Sequence, residues 1–245
     1  MTDSSISIVI PCYNGAEHLG KAIQSVLDQK IDHVQIVVVD DGSTDDSPSV
    51  ARSYDQVTLI QQANAGPAAA RNMGVLATNS TFVGFLDADD LYPPNKLKLQ
   101  MEYLTAHPEL DLISGRIQCM GTHSDHMYTE MYEDQEKKTM LNFHLGASLY
   151  KRQVFEEIGL LDEELKYSED VDHWFKIVEQ GLKYAFLDQV TLLHRRHETN
   201  MTNIPLAEQN SFFIRAIKKS MDRRKKLDSF QMPDFFQHAL RRKSN

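Results

Sequence analysis

Apolar residues in the first half of the chain fall into two alternating patterns. Short and nearly continuous apolar runs, typical of strands buried on both faces, occupy residues 6–10, 34–39, 57–60 and 82–85. The segments between these runs carry apolar residues at helical spacing, and the clearest stripe consists of Leu19, Ala22, Ile23, Val26 and Leu27. This alternation predicts an α/β fold with an open, doubly wound and mostly parallel sheet that is flanked by helices.

The second half of the chain repeats these patterns less regularly. A helix is predicted after Pro93 and Pro94, with Leu97, Met101 and Leu104 on one face. The other predicted elements are a strand at 110–114, an apolar segment at 143–150, a helix at 170–178, short strands at 184–187 and 190–193, and helices from 205 and near 234–242. A polar, aperiodic stretch at 121–138 is typical of an irregular excursion that carries substrate-specific loops.

Carboxylates follow two of the predicted strands directly. Asp40 and Asp41 end the second strand. Asp87, Asp89 and Asp90 end the fourth. Like charges this close are unfavourable unless a cation or hydrogen-bond donors offset them, and hard oxygen ligands suit Mg²⁺ or Mn²⁺ together with phosphate oxygens. The structural alternative is a solvated acidic turn that caps the next helix.

The segment between the third and fourth strands combines small residues with one arginine. Gly66 and the alanines after Pro67 would let a ligand approach the backbone closely, and a helix N-terminus favours anions. Arg71 could then pair with a phosphate. The alternative is a helix that packs tightly through its alanines and leaves Arg71 solvated.

Three other polar groups are candidates for chemistry. The Asp41 carboxylate can accept the N–H of a uracil-like ring or bind a ribose hydroxyl, although helix capping is equally compatible with its position. Glu169 and Asp170 open a predicted helix, where one carboxylate could act as a general base or simply interact with the helix dipole. Among residues 194–197, a nitrogen of His194 or His197 could complete a metal shell, although a lone histidine is more often structural.

Composition narrows the class of protein. The 245 residues are 41% hydrophobic, enough for a substantial core, and the net charge of -9 argues against general nucleic-acid binding. Cys12 and Cys119 are far apart, which fits a reducing compartment. No apolar run is long enough to span a bilayer and the N-terminus lacks signal-peptide features, so we expect a cytoplasmic protein. Neither a dinucleotide-type nor a P-loop glycine pattern follows a predicted strand.

The complete set of motifs resembles the family 2 inverting glycosyltransferases of the GT-A fold. The resemblance covers roughly residues 5–200, and its motifs occur in the order found in that family. They are PCYN at 11–14, DDGS at 40–43, NAG at 64–66, ARN at 70–72, DADD at 87–90, GLLDE at 159–163, ED at 169–170 and RRH at 195–197. Each motif is weak alone, and their order makes the set specific.

The resemblance implies a nucleotide-sugar donor, often a UDP-sugar, and a divalent cation, Mn²⁺ or Mg²⁺. It implies a donor site made of Pro11 and Tyr13 at the base, Asp41 at the uracil, Arg71 near the base or phosphates, and Asp87 at the ribose. Gly66 would also belong to the donor site. Asp89 would ligate the metal directly, and Asp87 and His197 would be further metal contacts. Asp170 matches the general base. His194 departs from the aromatic residue that relatives often carry there.

Two other functions remain open at this point. A sugar nucleotidyltransferase would need a glycine-rich loop with Arg or Lys after the first strand, which PCYN does not provide. A non-catalytic nucleotide-binding or scaffold relative is disfavoured by the joint presence of Asp89 and Asp170. The acceptor would be a saccharide, a lipid-linked molecule or another hydroxyl compound, chosen by residues 121–143 and the tail.

The predicted domain division is a catalytic domain at 1–204 and a helical C-terminal extension at 205–245. Residues 211–226 place Phe213, Ile217 and Met221 at helical spacing among lysines and arginines. Such a helix can lie on an anionic membrane, which would place the protein peripherally at the inner membrane face. Alternatively, the helix packs on the domain and its basic face is solvated.

Overall fold

The computed structural model describes residues 5–120, 139–141, 144–197, 200–201 and 205–227. The elements of the first half are β1 (Ile6–Cys12), α1 (Ala16–Leu27), β2 (Val34–Asp40), α2 (Ser47–Arg52), β3 (Val57–Gln61), α3 (Pro67–Leu76), β4 (Phe82–Phe85) and α4 (Lys96–Ala106). Those of the second half are β5 (Leu112–Met120), β6 (Thr139–Leu141), a 3₁₀ turn (Leu145–Ala147), β7 (Leu149–Lys151), α5 (Gln153–Ile158), α6 (Glu169–Glu179), β8 (Tyr184–Arg195) and α7 (Leu206–Arg224).

The strands form one open, mixed sheet in the order β3-β2-β1-β4-β7-β5-β6. The first four strands of the chain are mutually parallel, and β7 is inserted antiparallel between β4 and β5. β8 runs parallel to β5. Because Cys12 pairs with Asp40 at the ends of β1 and β2, the polar residues that follow β1, β2 and β4 meet at one edge of the sheet.

Helices cover both faces of the parallel part of the sheet. Along β1, Ile6, Ile8 and Ile10 face one apolar cluster, whereas Val9 faces the other, and all four are fully buried. α1 contributes to the first cluster and α3 to the second. This two-sided burial explains why the strands appear in the sequence as continuous apolar runs rather than as alternating patterns.

The strands predicted at 184–187 and 190–193 are parts of one continuous strand, β8. The polar pair Asp188 and Gln189 interrupts the apolar pattern, but both halves of β8 pair with β5. Register shifts on either side of Arg116 absorb the interruption. The bulge aims the Arg116 guanidinium at Asp188, whose Oδ1 lies 2.7 Å from its Nε.

The predicted strand at 110–114 is also longer than expected, because β5 continues to Met120. The whole polar excursion at 121–138 and the helix predicted near 234–242 lie outside the described residues. The division of the chain at residue 204 stays a prediction.

α7 begins close to the predicted position and packs against α6. Among its described side chains, Ala216 and Ser220 are buried. Of the predicted apolar stripe, Ile217 is half-buried, whereas Phe213 and Met221 are exposed. Arg223 faces inward and pairs with both Asp172 and Glu179. Within the described ranges, no helix combines the length and apolar character that crossing a membrane requires. The predicted membrane contact stays a prediction.

Gly74 permits the close approach of α3 to β1, and its replacement tests this packing. A Cβ atom at Gly74 would overlap the Val9 side chain. We expect Gly74→Ala to lower the free energy of unfolding by about 1–3 kcal/mol, because overpacking forces neighbours from their rotamers. Leu76→Ala, at an exposed position of the same helix, is the control and should cost far less. Equal stability of both variants in urea unfolding would contradict the tight contact.

Candidate active site

The Asp41 carboxylate holds the start of α3. Its Oδ1 accepts hydrogen bonds from the Ala65 N–H (2.9 Å) and from Gln62 Nε2 (2.7 Å), and its Oδ2 accepts one from the Gly66 N–H (2.8 Å). Gly66 has φ 93°, a conformation that glycine adopts without strain. Asp41 is therefore anchored before any ligand arrives. Its predicted contact with uracil, and that of Gly66 with the donor, stay predictions.

The loop after β1 is tied to the loop after β2. The Asn14 N–H donates to Ser43 Oγ, and the Thr44 N–H donates to Asn14 Oδ1, both at 2.8 Å. Asn14 adopts φ 50°, and the Tyr13 side chain beside it is 55% exposed. Pro11 is half-buried within β1. An exposed aromatic ring on a fixed loop suits stacking with a base, but this role of Pro11 and Tyr13 stays a prediction.

Arg71 joins two acidic segments that are far apart in sequence. Its Nη2 lies 2.6 Å from Asp87 Oδ1, and its Nη1 lies 2.7 Å from Glu169 Oε1. The guanidinium is buried, contrary to the solvated alternative considered from sequence. Contact of Arg71 with the donor stays a prediction, while the structure gives this residue an additional role in fixing α6 against the end of β4.

The electrostatics of this cluster are strongly perturbed. Burial alone would lower the pKa of Arg71, but the two carboxylates raise it above its usual range. Burial likewise works to raise the pKa of Asp87, but the Arg71 charge outweighs it and the pKa is lowered. Burial raises the pKa of Glu169 to about 7 despite the attraction of Arg71. Asp87 is therefore the charged partner of Arg71 at neutral pH.

Asn72, the next residue of α3, fixes the loop that leads to α6. Its Nδ2 donates to the Leu161 carbonyl and to Glu163 Oε1, and its Oδ1 accepts from the Leu161 N–H, all at 2.9 Å. ARN and GLLDE are both among the family motifs, and this contact joins them. Arg71 thus holds the first turn of α6, and Asn72 holds the loop that precedes it.

Asp170 lies in that first turn, next to Glu169. Its Oδ1 accepts a hydrogen bond of 2.8 Å from the Val171 N–H. Burial raises the pKa of Asp170, which makes its carboxylate a better proton acceptor than an exposed aspartate. Asp170 also lines a small cavity with Ser148 and Tyr150 of the neighbouring 148–150 segment. These properties suit the predicted general base.

Asp89 and His197 come together as predicted, although 108 residues separate them. Asp89 Oδ2 lies 3.0 Å from His197 Nε2 and accepts a hydrogen bond of 3.1 Å from Asn200 Nδ2. Two adjacent ligands of an octahedral ion at about 2.1 Å lie roughly 3 Å apart, so this pair fits Mn²⁺ or Mg²⁺. His18 of α1 packs its ring 5.2 Å from that of His197.

Asp90 forms a second, deeper contact with the same segment. Both of its oxygens lie 3.0–3.1 Å from His194 Nδ1, and Oδ1 also accepts from the Arg195 N–H. Burial raises the pKa of Asp90 to about 6, and Asp90 in turn raises the pKa of His194 against the effect of burial. A ligand atom of His144 lies within 4.8 Å of this pair. The Asp90 contact holds the 194–197 segment against the end of β4.

The sequence patterns do not point to several of these residues. Asn200 lies three positions after His197, and its nearness to the RRH motif is a signal that could have marked it as a candidate. Gln62 and His144 are single polar residues in segments without a motif, and only the fold brings them to the site. His194 departs from the family pattern, in which this position is often aromatic. Its pairing with Asp90 accounts for a histidine there.

The model of glycosyl transferase family 2 matches residues 7–159, more than half of the chain. The chain belongs to this family. A curated relative, an uncharacterised glycosyltransferase of Rickettsia typhi, is 32% identical over 222 residues, which are 84% of this chain and 69% of the relative. The minor teichoic acid biosynthesis protein GgaA of Bacillus subtilis is 26% identical over 78% of this chain and 47% of its own length.

Solved structures share the fold of this glycosyltransferase. S. aureus TarS 1–349 in complex with UDP-GlcNAc has a TM-score of 0.76 at 20% identity, covering 92% of this chain and 68% of that one. Mannosyltransferase PcManGT from Pyrobaculum calidifontis, in complex with GDP-Man and Mn²⁺, has a TM-score of 0.66 at 18% identity, covering 94% and 66%. The chain spans about two thirds of these structures and about half of GgaA. The predicted family, GT-A-type α/β fold and enzyme class are confirmed.

The buried Arg71 bridge predicts a large loss of stability when the guanidinium is removed. Arg71→Met would leave Asp87 and Glu169 without their cation, and we expect unfolding to become easier by about 3–5 kcal/mol. Arg52→Met, at an exposed arginine of α2, is the matched control and should change stability by about 0.5 kcal/mol or less. Urea unfolding at pH 7 measures both. A change at Arg71 as small as the control would refute the bridge.

Proposed function

We propose that this glycosyltransferase moves a sugar from a nucleotide diphosphate, with UDP as the favoured nucleotide, to an acceptor hydroxyl and inverts the anomeric centre. The observation that carries the proposal is the Arg71 bridge. It links Asp87, on the predicted donor side, to Glu169, the neighbour of the predicted base Asp170. One buried cation therefore sets the spacing between the two halves of the reaction.

Asp89 and His197 would hold the divalent cation, Mn²⁺ or Mg²⁺, with Asp87 as a further contact. Their 3.0 Å separation and their oxygen and nitrogen donors support this assignment. Only one oxygen of Asp87 contacts Arg71 among the described contacts, which leaves the other for a ligand. When bound, the cation supplies positive charge beside the diphosphate that departs.

Asp170 would accept the proton of the acceptor hydroxyl. Its raised pKa favours proton transfer, and Glu169 and Arg71 restrain the helical turn that carries it. Attack from the side opposite the departing diphosphate gives inversion. Tyr13, Pro11 and Asp41 would bind the base of the donor, while Gly66 would let it approach the start of α3.

The choice of UDP rests on the TarS complexes, and the structure bound to GDP-Man is the reason to test other nucleotides. The acceptor is proposed to be a saccharide or lipid-linked precursor in polysaccharide biosynthesis, which the name of GgaA supports. A nucleotidyltransferase is less well supported because the loop after β1 lacks the required glycines and basic residues. A non-catalytic relative would not need the anchored Asp170.

The proposed base is tested by Asp170→Asn. Across a panel of UDP- and GDP-sugars with Mn²⁺, we expect the wild-type protein to release the nucleotide from at least one UDP-sugar. The variant should bind that donor equally well but turn it over about 10²–10⁴-fold more slowly. Asp32→Asn, at an exposed site, is the control. Wild-type turnover by Asp170→Asn would exclude Asp170 as the base, and inactivity towards every donor would count against the proposed reaction.

The proposed metal ligand is tested by Asp89→Ala. We expect calorimetry with UDP to show that Mn²⁺ strengthens binding to the wild-type protein but not to the variant, because the carboxylate proposed to ligate the ion is gone. The exposed Asp55→Ala is the control. Unchanged Mn²⁺-dependent affinity in Asp89→Ala would remove this residue from the metal site.

A further inference from the structure

A small cavity lies beside Asp170, between α6 and the segment around β7. Its lining residues are Leu145, Ser148, Tyr150, Asp170, His173, Trp174 and Ile177. Its volume of about 10 Å³ is close to what one water molecule requires. The carboxylate, the imidazole and the two hydroxyl-bearing side chains give such a water several possible hydrogen-bond partners.

His173 is the unexplained residue of this cavity. It lies one helical turn after Asp170 and is only 1% exposed. Within the described part of the chain, neither of its ring nitrogens has a hydrogen-bond partner. A buried polar group without a partner is costly, so an ordered water is the expected solution.

Neighbouring rings fix the orientation of the imidazole. His173 stacks on Phe155, with centroids 5.4 Å apart and ring planes inclined by 19°, and it meets Tyr150 edge-on at 5.7 Å. Burial lowers the pKa of His173 to about 3, helped by the positive charge of Lys176. The ring is therefore neutral and offers one N–H donor and one nitrogen acceptor.

We infer that His173 is a positioning residue for Asp170 and acts through one water molecule held between the two side chains in this cavity. The inference rests on the proposed function, in which Asp170 is the base. The Val171 N–H already restrains Oδ1 of Asp170. A fixed water provides a second restraint, which limits rotation of the carboxylate and keeps a lone pair directed at the acceptor hydroxyl.

The test compares His173→Phe and His173→Gln by steady-state kinetics. Phenylalanine keeps the stacking on Phe155 but removes both nitrogens, so we expect kcat to fall about 3- to 10-fold with an unchanged KM for the donor. The melting temperature should change little, because phenylalanine preserves the packing of the ring on Phe155. Glutamine can still bind the water and should recover most of the lost kcat. Asp32→Asn, at an exposed site outside the cavity, should retain wild-type kcat.

The Asp170→Asn background separates positioning from other effects. If His173 acts through the base, His173→Phe should not lower the residual rate of Asp170→Asn further. A crystal structure of the wild-type protein should also contain an ordered water within about 3 Å of a His173 nitrogen and an Asp170 oxygen. The absence of an ordered water between these two side chains in that crystal structure would overturn the inference.

The kinetic outcomes also distinguish this inference from the proposed function. An inactive Asp170→Asn with a fully active His173→Phe would overturn the positioning role and leave the base in place. Wild-type turnover by Asp170→Asn would overturn both. A loss of melting temperature in His173→Phe without recovery by His173→Gln would assign His173 a structural role and equally reject the inference.

Discussion

The site depends on one buried cation placed between two carboxylates. Arg71 is encoded on α3, whereas Asp87 follows β4 and Glu169 opens α6, so no local element could hold the three together. Transfer of a charged group from water into the protein interior costs free energy. The ion pairs of the two terminal guanidinium nitrogens with Asp87 and Glu169 offset this cost. Because an unpaired buried charge is so unfavourable, the Arg71 bridge also favours one position of α6. A shift of α6 would leave a charge buried without its partner. The segment after β4 and the start of α6 are thereby fixed to each other.

The parallel sheet supplies the other half of this constraint. Because β1, β2 and β4 run in the same direction, the chain must leave each of them at the same edge. The Asp41 carboxylate accepts a hydrogen bond from the start of α3. The Asp90 carboxylate accepts one from the segment that bears His197. The proposed reaction assigns Asp89 to the metal and Asp170 to the acceptor hydroxyl.

Sequence alone predicts the elements of this fold well and its long-range contacts poorly. The continuous apolar runs identified β1 to β4 because burial on both faces leaves a strong signal, whereas Asp188 and Gln189 split β8 because a bulge leaves no signal of its own. The order of the motifs identified the family. It could not reveal that Arg71 is buried, or that Asp90 pairs with His194, since such pairings depend on how distant segments meet. No sequence pattern indicated that Gln62 contacts Asp41 or that His144 lies near Asp90, and only the structure shows these contacts.

Arg223 of α7 bears on where the catalytic domain ends in the sequence. Arg223 is the counter-charge for Asp172 and Glu179 on the helix that carries Asp170, and the side chains of both acids are almost fully enclosed. A protein shortened before this helix would retain every family motif but would remove Arg223 from Asp172 and Glu179, leaving Lys176, 3.7 Å away, beside Asp172. An expression boundary chosen from the motifs alone would therefore remove an ion-pair partner of the helix that carries the proposed base.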